Sequence, residues 1–114
     1  MRIEEQILSN LIHNEEFCRK VIPFINTSYF SDFKERMIVE EITAFFNKYN
    51  KPISSDILTI ELSNRSDVTD KQLSDVISSV EGLPTTEANQ DWLIEHTEKF
   101  CKDKAVYNLS LIHI

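Results

Sequence analysis

Three histidines, two cysteines and several adjacent acids are the residues of this sequence that could carry chemistry. A di-iron helical bundle needs Glu-x-x-His on two helices, but the positions three before His13, His96 and His113 hold Asn10, Leu93 and Ser110. No HExxH occurs either. Cys101 lies five residues after His96, which on one helix separates them by more than a quarter turn, so a Cys–His pair would have to recruit Cys18 from a different helix. Neither cysteine belongs to a CxxC pair, so no zinc site or disulfide framework is signalled, and both read as small, partly buried apolar residues. Glu15-Glu16 and Glu40-Glu41 point to different sides of a helix and read as solvated faces. The one glycine, Gly82, cannot by itself write GxxxxGKS/T or GxGxxG, which excludes a phosphate-cradling loop.

Composition explains where such residues must sit. The chain has 114 residues, 41% of them hydrophobic, which suits one domain with a core that needs no staples. One glycine and three prolines are too few for the tight turns of an all-β fold and favour helices. Formal charge is −7, and it is uneven: residues 1–53 carry 7 basic and 8 acidic groups, residues 54–98 carry 2 and 10, and residues 99–114 carry 3 and 1. A phosphate backbone repels the acidic middle, so little direct DNA binding is expected and basic protein partners are favoured. The first residues lack a signal pattern, and no apolar run approaches the ~18 residues of a membrane span. A reducing cytoplasm is the expected setting.

Helical periodicity gives six elements. Ile3, Ile7, Leu8, Leu11 and Ile12 form one stripe of a first helix over about residues 2–13, with Glu4, Glu5 and Ser9 outside it. Asn14 is placed to cap a second helix carrying Phe17, Val21 and Ile22, which Pro23 closes. After the turn at Asn26-Thr27-Ser28, Asp32-x-x-Glu35 forms a capping box for a third helix over about residues 32–48. Its stripe of Phe33, Met37, Ile38, Ile42, Phe45, Phe46 and Tyr49 marks it as the central core helix. Asn50-Lys51-Pro52 ends it, and Ser54 or Ser55 caps a fourth helix bearing Ile57, Leu58 and Leu62. Thr69-x-x-Gln72 opens a fifth, with Leu73, Val76, Ile77 and Val80 on one narrow face. Gly82, two residues before Pro84, is read as its left-handed terminator.

A sixth helix begins near Asn89 or Gln90, and Trp92, Leu93, Phe100, Tyr107 and Leu111 recur along it without a stop signal. About 25 residues at 1.5 Å each give ~37 Å, beyond the ~26–28 Å diameter of a domain this size. Its far end is therefore expected to protrude, with Ala105, Val106, Leu109, Leu111 and Ile112 exposed unless another helix or chain covers them. The fold class is all-α, a compact bundle of about six helices. Residues 1–90 form a globular head and residues 91–114 the start of a protruding arm, in what is expected to be a piece of a longer protein.

Three stretches together resemble a known family. Glu4-Glu5-Gln6-Ile7-Leu8-Ser9-Asn10-Leu11-Ile12 resembles the opening of the N-terminal domain of DnaB-type replicative DNA helicases. Tyr29-Phe30 with Arg36-x-Ile38-Val39-x-x-Ile42 resembles that domain's third helix, and Pro52-Ile53 with Leu58-Thr59 and Leu62 resembles its next segment. Trp92-Leu93-Ile94, Thr97-Glu98-Lys99-Phe100 and Lys104-Ala105-x-Tyr107-Asn108 are most similar to the replicative helicases of large T4-like tailed phages.

The resemblance implies a non-catalytic collar domain of a hexameric 5′-to-3′ helicase, whose ATP and Mg²⁺ belong to a motor domain outside this chain. It implies self-association through a helical hairpin whose first arm is the sixth helix, recruitment of primase, and contact with a helicase loader. In a phage the setting is the host cytoplasm. Trp92, Phe100, Tyr107 and Leu111 are the candidate oligomerisation residues, and Asp56, Glu61, Asp70 and Asp75 the candidates for partner docking. The competing reading is a free-standing acidic helical adaptor or phage regulator that binds a host protein. A helix-turn-helix DNA binder is disfavoured by charge and by the lack of a basic recognition helix.

Overall fold

The first helix, α1 (Ile3–His13), is the axis on which the others assemble. A computed structural model describes residues 2–84 and 89–112, with side chains through residue 107. Six consecutive residues of α1, Ile7 to Ile12, are buried, because α2 (Glu15–Val21), α3 (Phe33–Tyr49) and α6 (Gln90–Ile112) all pack against it. Ser9, expected outside the apolar stripe, is 2% exposed, as is Asn10. Each is satisfied by a backbone carbonyl: the Ser9 hydroxyl donates to Pro84, and Asn10 Nδ2 donates to Gln6 over 2.9 Å. Without such partners two polar side chains could not sit in a core.

Caps set most boundaries. Asn14 accepts from the Phe17 amide at 3.1 Å, starting α2, while its Nδ2 donates to Gln90 Oε1 at 2.8 Å and ties that start to the start of α6. Pro23 then converts the chain into a 3-10 turn, Ile22–Phe24, and Asn26 caps a second, Thr27–Tyr29. Ser54 caps α4 (Ser55–Ser63), and Thr69 with Gln72 forms the expected capping box of α5 (Asp70–Glu81). Asn89 accepts from the Trp92 amide at 3.0 Å, opening α6.

Two local expectations are corrected. Asp32 caps α3 through the Lys34 amide, but Glu35 does not complete a box with it. Instead the Glu35 carboxylate turns to Arg2, with bonds of 2.9 and 3.1 Å from one guanidinium nitrogen. A charged partner outcompetes a single backbone N–H for a buried carboxylate. Gly82 is not left-handed: its φ of −84° and ψ of −1° are right-handed, and its N–H still bonds Ser78. The left-handed terminator is Asn50, φ 58° and ψ 34°, whose N–H bonds Phe46 at 2.7 Å. At Gly82 the following Pro84 already forbids continuation, so no special backbone conformation is required.

α3 packs on α1, α4 and α5, with Met37, Ile38, Val39 and Ile42 buried. Its ends are less covered than the stripe predicts, since Phe33 and Tyr49 are exposed. Burial divides α6. Leu93, Thr97, Phe100 and Cys101 join the core, with the Phe100 ring 5.4 Å from that of Phe30. The head thus takes in the first four turns of α6 and does not stop at residue 90. Beyond Ala105 the helix leaves it, and Val106 and Tyr107 are 63% and 61% exposed. The 23 residues of α6 rise about 34 Å, close to the longest dimension of the molecule, 37 Å. All regular elements among the described residues are helical.

Asn50→Ala is expected to lower stability by about 1 kcal/mol, the usual cost of a Cβ in left-handed backbone without the compensating Asn side chain. Gly82→Ala should stay within about 0.5 kcal/mol, its new Cβ meeting the Ser78 carbonyl at 3.3 Å and the Ser79 carbonyl at 3.8 Å. Chemical denaturation of the two variants checks this, and the reverse ranking would return the terminator role to Gly82.

Candidate functional site

The residues with chemical potential do not converge. His13 is exposed at the end of α1, and His96 stacks on Trp92, ring centroids 4.2 Å apart, with Nδ1 3.0 Å from the Trp92 carbonyl. Cys18 and Cys101 are buried, and burial pushes both thiols up to about 11, far from the thiolate a nucleophile requires. Among the described residues no three His, Cys, Asp or Glu side chains are grouped for a metal ion. No helix among them is long and apolar enough to cross a membrane.

One polar cleft, about 220 Å³, is lined in part by Arg2, Glu5, Asp32, Lys34, Glu35 and Leu83. Part of its wall is the Arg2–Glu35 pair, the glutamate side chain 8% and the arginine 50% exposed. Burial raises the Glu35 carboxyl above its usual range, an effect the Arg2 bond and charge only partly reverse. This pair ties the chain's first residues to α3. It presents no free nucleophile beside a base, which acyl or phosphoryl chemistry would need.

The outer surface is where residues remain unused. Tyr107 follows Phe100 by seven residues and so lies within about 20° of it around α6. Phe100 is 8% exposed and its ring is covered by Phe30, so it serves the core and not an outer contact. Tyr107, on the same face beyond the head, is 61% exposed. The core-facing stripe of α6 therefore runs past the core, and Leu111 occupies its next helical position. Trp92, 45% exposed, stands near the other end of the helix. Beside α6 an apolar groove of about 340 Å³ is lined by Phe24, Tyr29, Glu98, Cys101, Lys102 and Ala105, and Phe24 is 40% exposed. Ala105, the last residue of α6 to line the groove, precedes the exposed Val106 and Tyr107 in sequence.

The four docking acids are all exposed, but not on one face. Asp56 and Glu61 are five residues apart on α4, and Asp70 and Asp75 five apart on α5, a rotation of about 140° in each case. Asp56 and Asp70 lie in first turns, where they offset the helix dipoles. Glu61 borders a small groove with Glu41, Phe45, Lys48 and Tyr49. Asp70 borders another with Leu73 and Ile77.

Sequence spacing did not reveal Arg65. From the loop after α4, its guanidinium reaches Glu40 at 3.1 Å, Glu41 at 3.2 Å and Asp67 at 2.8 Å. Glu40 and Glu41, read as a solvated face, are thus the anchor for the α4–α5 loop. Bonds to Asp67 and Glu40 raise Arg65 far above its ordinary value, and Arg65 lowers the Asp67 carboxyl in turn. Exposed Ile57 and Ile60 were missed as well: Ile57 was grouped with Leu58 and Leu62, of which only the leucines are buried, and Ile60 was assigned to no face.

Comparison with known proteins gives a consistent result. Residues 1–95 match the family model of the DnaB-like helicase N terminal domain. Over 104 residues, 91% of this chain, the sequence is 29% identical to a DnaB-like replicative helicase of Enterobacteria phage T4, of which it covers 22%. The chain therefore spans about a fifth of the length of that relative.

Glu35 supplies a pH signature. Its folded-state carboxyl binds a proton more readily than the unfolded one, whose ordinary value is 4.5. Protonation is then favoured by folding, and the contribution of Glu35 to stability falls as pH rises above that value. Relative to Glu35→Gln, the unaltered chain is expected to gain melting temperature as pH drops from 6 toward 4.5. A difference that shrinks over this range would contradict the burial-dominated environment.

Proposed function

Because the chain belongs to the DnaB-like helicase N-terminal domain family, we propose that it is the non-catalytic collar of a hexameric replicative helicase, an assembly and recruitment module. The observation that carries this reading is the apolar stripe of α6, which is core at Phe100 and open at Tyr107. An apolar stripe that outruns its own domain calls for cover from another helix or chain. A following helix folded back as a hairpin, paired with the hairpin of a second subunit, provides it. Trp92, Tyr107 and Leu111 are the proposed contact residues, and Phe100 supports them from within the head.

ATP-driven 5′-to-3′ unwinding, with its Mg²⁺, is assigned to the part of the protein outside this domain. A chain with one glycine has no means of wrapping a triphosphate in backbone N–H groups. The proposed setting is the cytoplasm, that of the host for a phage protein. Recruitment of primase, and of a helicase loader, is proposed for the acidic α4–α5 side. Acidic faces accelerate encounter with basic partners and impart salt dependence to it.

Sedimentation velocity of Leu111→Asp beside the unaltered 114-residue chain tests self-association. A lower mass for the variant is expected, and equal masses would remove α6 from the interface. For recruitment, Asp70→Lys with Asp75→Lys should weaken binding of the cognate primase by about tenfold and flatten its salt dependence. Unchanged affinity would move the contact elsewhere.

A further inference from the structure

α4 has an outer face that the core leaves unused. Leu58 and Leu62 are fully buried, whereas Ile57 and Ile60 are 38% and 58% exposed. At about 100° per residue, Asp56, Ile60, Ile57 and Glu61 follow one another around the helix at steps of roughly 40°, 60° and 40°. The two isoleucines form a ridge with one carboxylate along each side. Neither Asp56 nor Glu61 has an ion pair among the described residues, unlike Glu40, Glu41 and Asp67, which Arg65 engages.

Surroundings extend the pattern. Past Glu61 lies the groove toward α3, where Phe45 and Tyr49 pair at 4.6 Å and Tyr49 is 53% exposed. The one cation lining it, Lys48, places its ammonium 5.2 Å from the Tyr49 ring. Single exposed isoleucines are unremarkable on a surface. Two on adjacent turns, flanked by acids that have no ion pair among the described residues and continuous with an exposed tyrosine, make a surface with a specific complement.

We propose that this ridge docks a basic amphipathic helix of a partner protein, whose apolar side chains lie against Ile57 and Ile60 while lysines or arginines flank them beside Asp56 and Glu61. Charge selects this occupant. Residues 54–98 carry 10 acids against 2 bases, which repels nucleic acid. A second copy, itself of net charge −7, is a poorer match, and within its net-basic residues 99–114 Lys99 is already tied to Asp103 at 3.3 Å. An amphipathic helix read through anchors three and four residues apart is a common mode of peptide recognition. The proposal rests on the reading of this domain as a protein-docking module, and it assigns to α4 a contact separate from the α6 stripe.

The test is fluorescence anisotropy of the 114-residue chain with a labelled helical peptide of leucine and lysine, beside a peptide of equal charge in which serine replaces leucine. The leucine peptide should bind at least about tenfold more tightly. Ile57→Ser with Ile60→Ser should abolish that advantage. Asp56→Asn with Glu61→Gln should weaken binding and lower its salt dependence, whereas Asp91→Asn with Glu95→Gln, an identical charge change on α6, should alter it less than about twofold. Circular dichroism establishes that each variant folds. If the serine pair does not fold, the two acid pairs decide alone. Equal losses from the two acid pairs, or an unaffected serine pair, would overturn the proposal. So would a drop in the sedimentation mass of the serine pair, which would give the ridge to a second copy. Leu111→Asp leaves α4 untouched, so the collar reading and the ridge can fail separately.

Discussion

Burial of α1 on almost every side is the constraint from which the remaining arrangement follows. A helix surrounded in this way must dispose of its polar groups internally, and Ser9 and Asn10 do so by donating to carbonyls. The Ser9 bond carries a consequence across 75 residues of sequence, because its acceptor is Pro84, just after α5. Asn14, at the far end of α1, reaches Gln90 across 76. These two bonds fix where the chain leaves α5 and where α6 begins. With its start held and its first turns packed against α1 and α2, α6 has a set direction, and its length carries it past the edge of the head.

Legibility of the fold followed the range of the forces involved. Caps act over three or four residues, so Asn14 and Thr69 could be read from sequence alone and the starts at Ser54 and Asn89 to within one residue, and helix boundaries fell within a residue or two of them. Glu35 shows the limit. Its spacing from Asp32 is that of a capping box, yet Arg2, 33 residues away, offers a full charge where the cap offers one N–H. Gly82 shows another, since glycine permits left-handed backbone without requiring it. Asn50 meets that need because α3 must stop before Pro52, and asparagine tolerates the conformation.

The surface was less legible than the core for a related reason. Periodicity separates inside from outside, but it treats every apolar residue as inside. Ile57 was therefore grouped with Leu58 and Leu62, although 100° of rotation separates it from Leu58 and only the leucines face α3 and α5. Acid counts erred in the opposite sense by treating every carboxylate as free. Arg65 engages three of them, and its loop position gave no periodic signal. The proposed docking acids scatter because Asp56 and Asp70 answer first to the helix dipoles of α4 and α5.

The two outer surfaces differ in kind, and this follows from how each is built. On α6 one stripe changes role along its length: Phe100 is held by Phe30, and two turns later, at Tyr107, the same face is 61% exposed. Its apolar character is inherited from the core, so a second helix could extend that core with little polar matching, as suits a permanent subunit contact. On α4 the exposed isoleucines lie away from the buried leucines and are bordered by carboxylates. Such a surface stays soluble when unoccupied, gains affinity from burial of a few anchors, and loses it as salt rises. Those are properties of a contact made and broken repeatedly. With the proposed subunit contact on the arm and the proposed reversible one on the head, partners would exchange without disturbing the subunit interface.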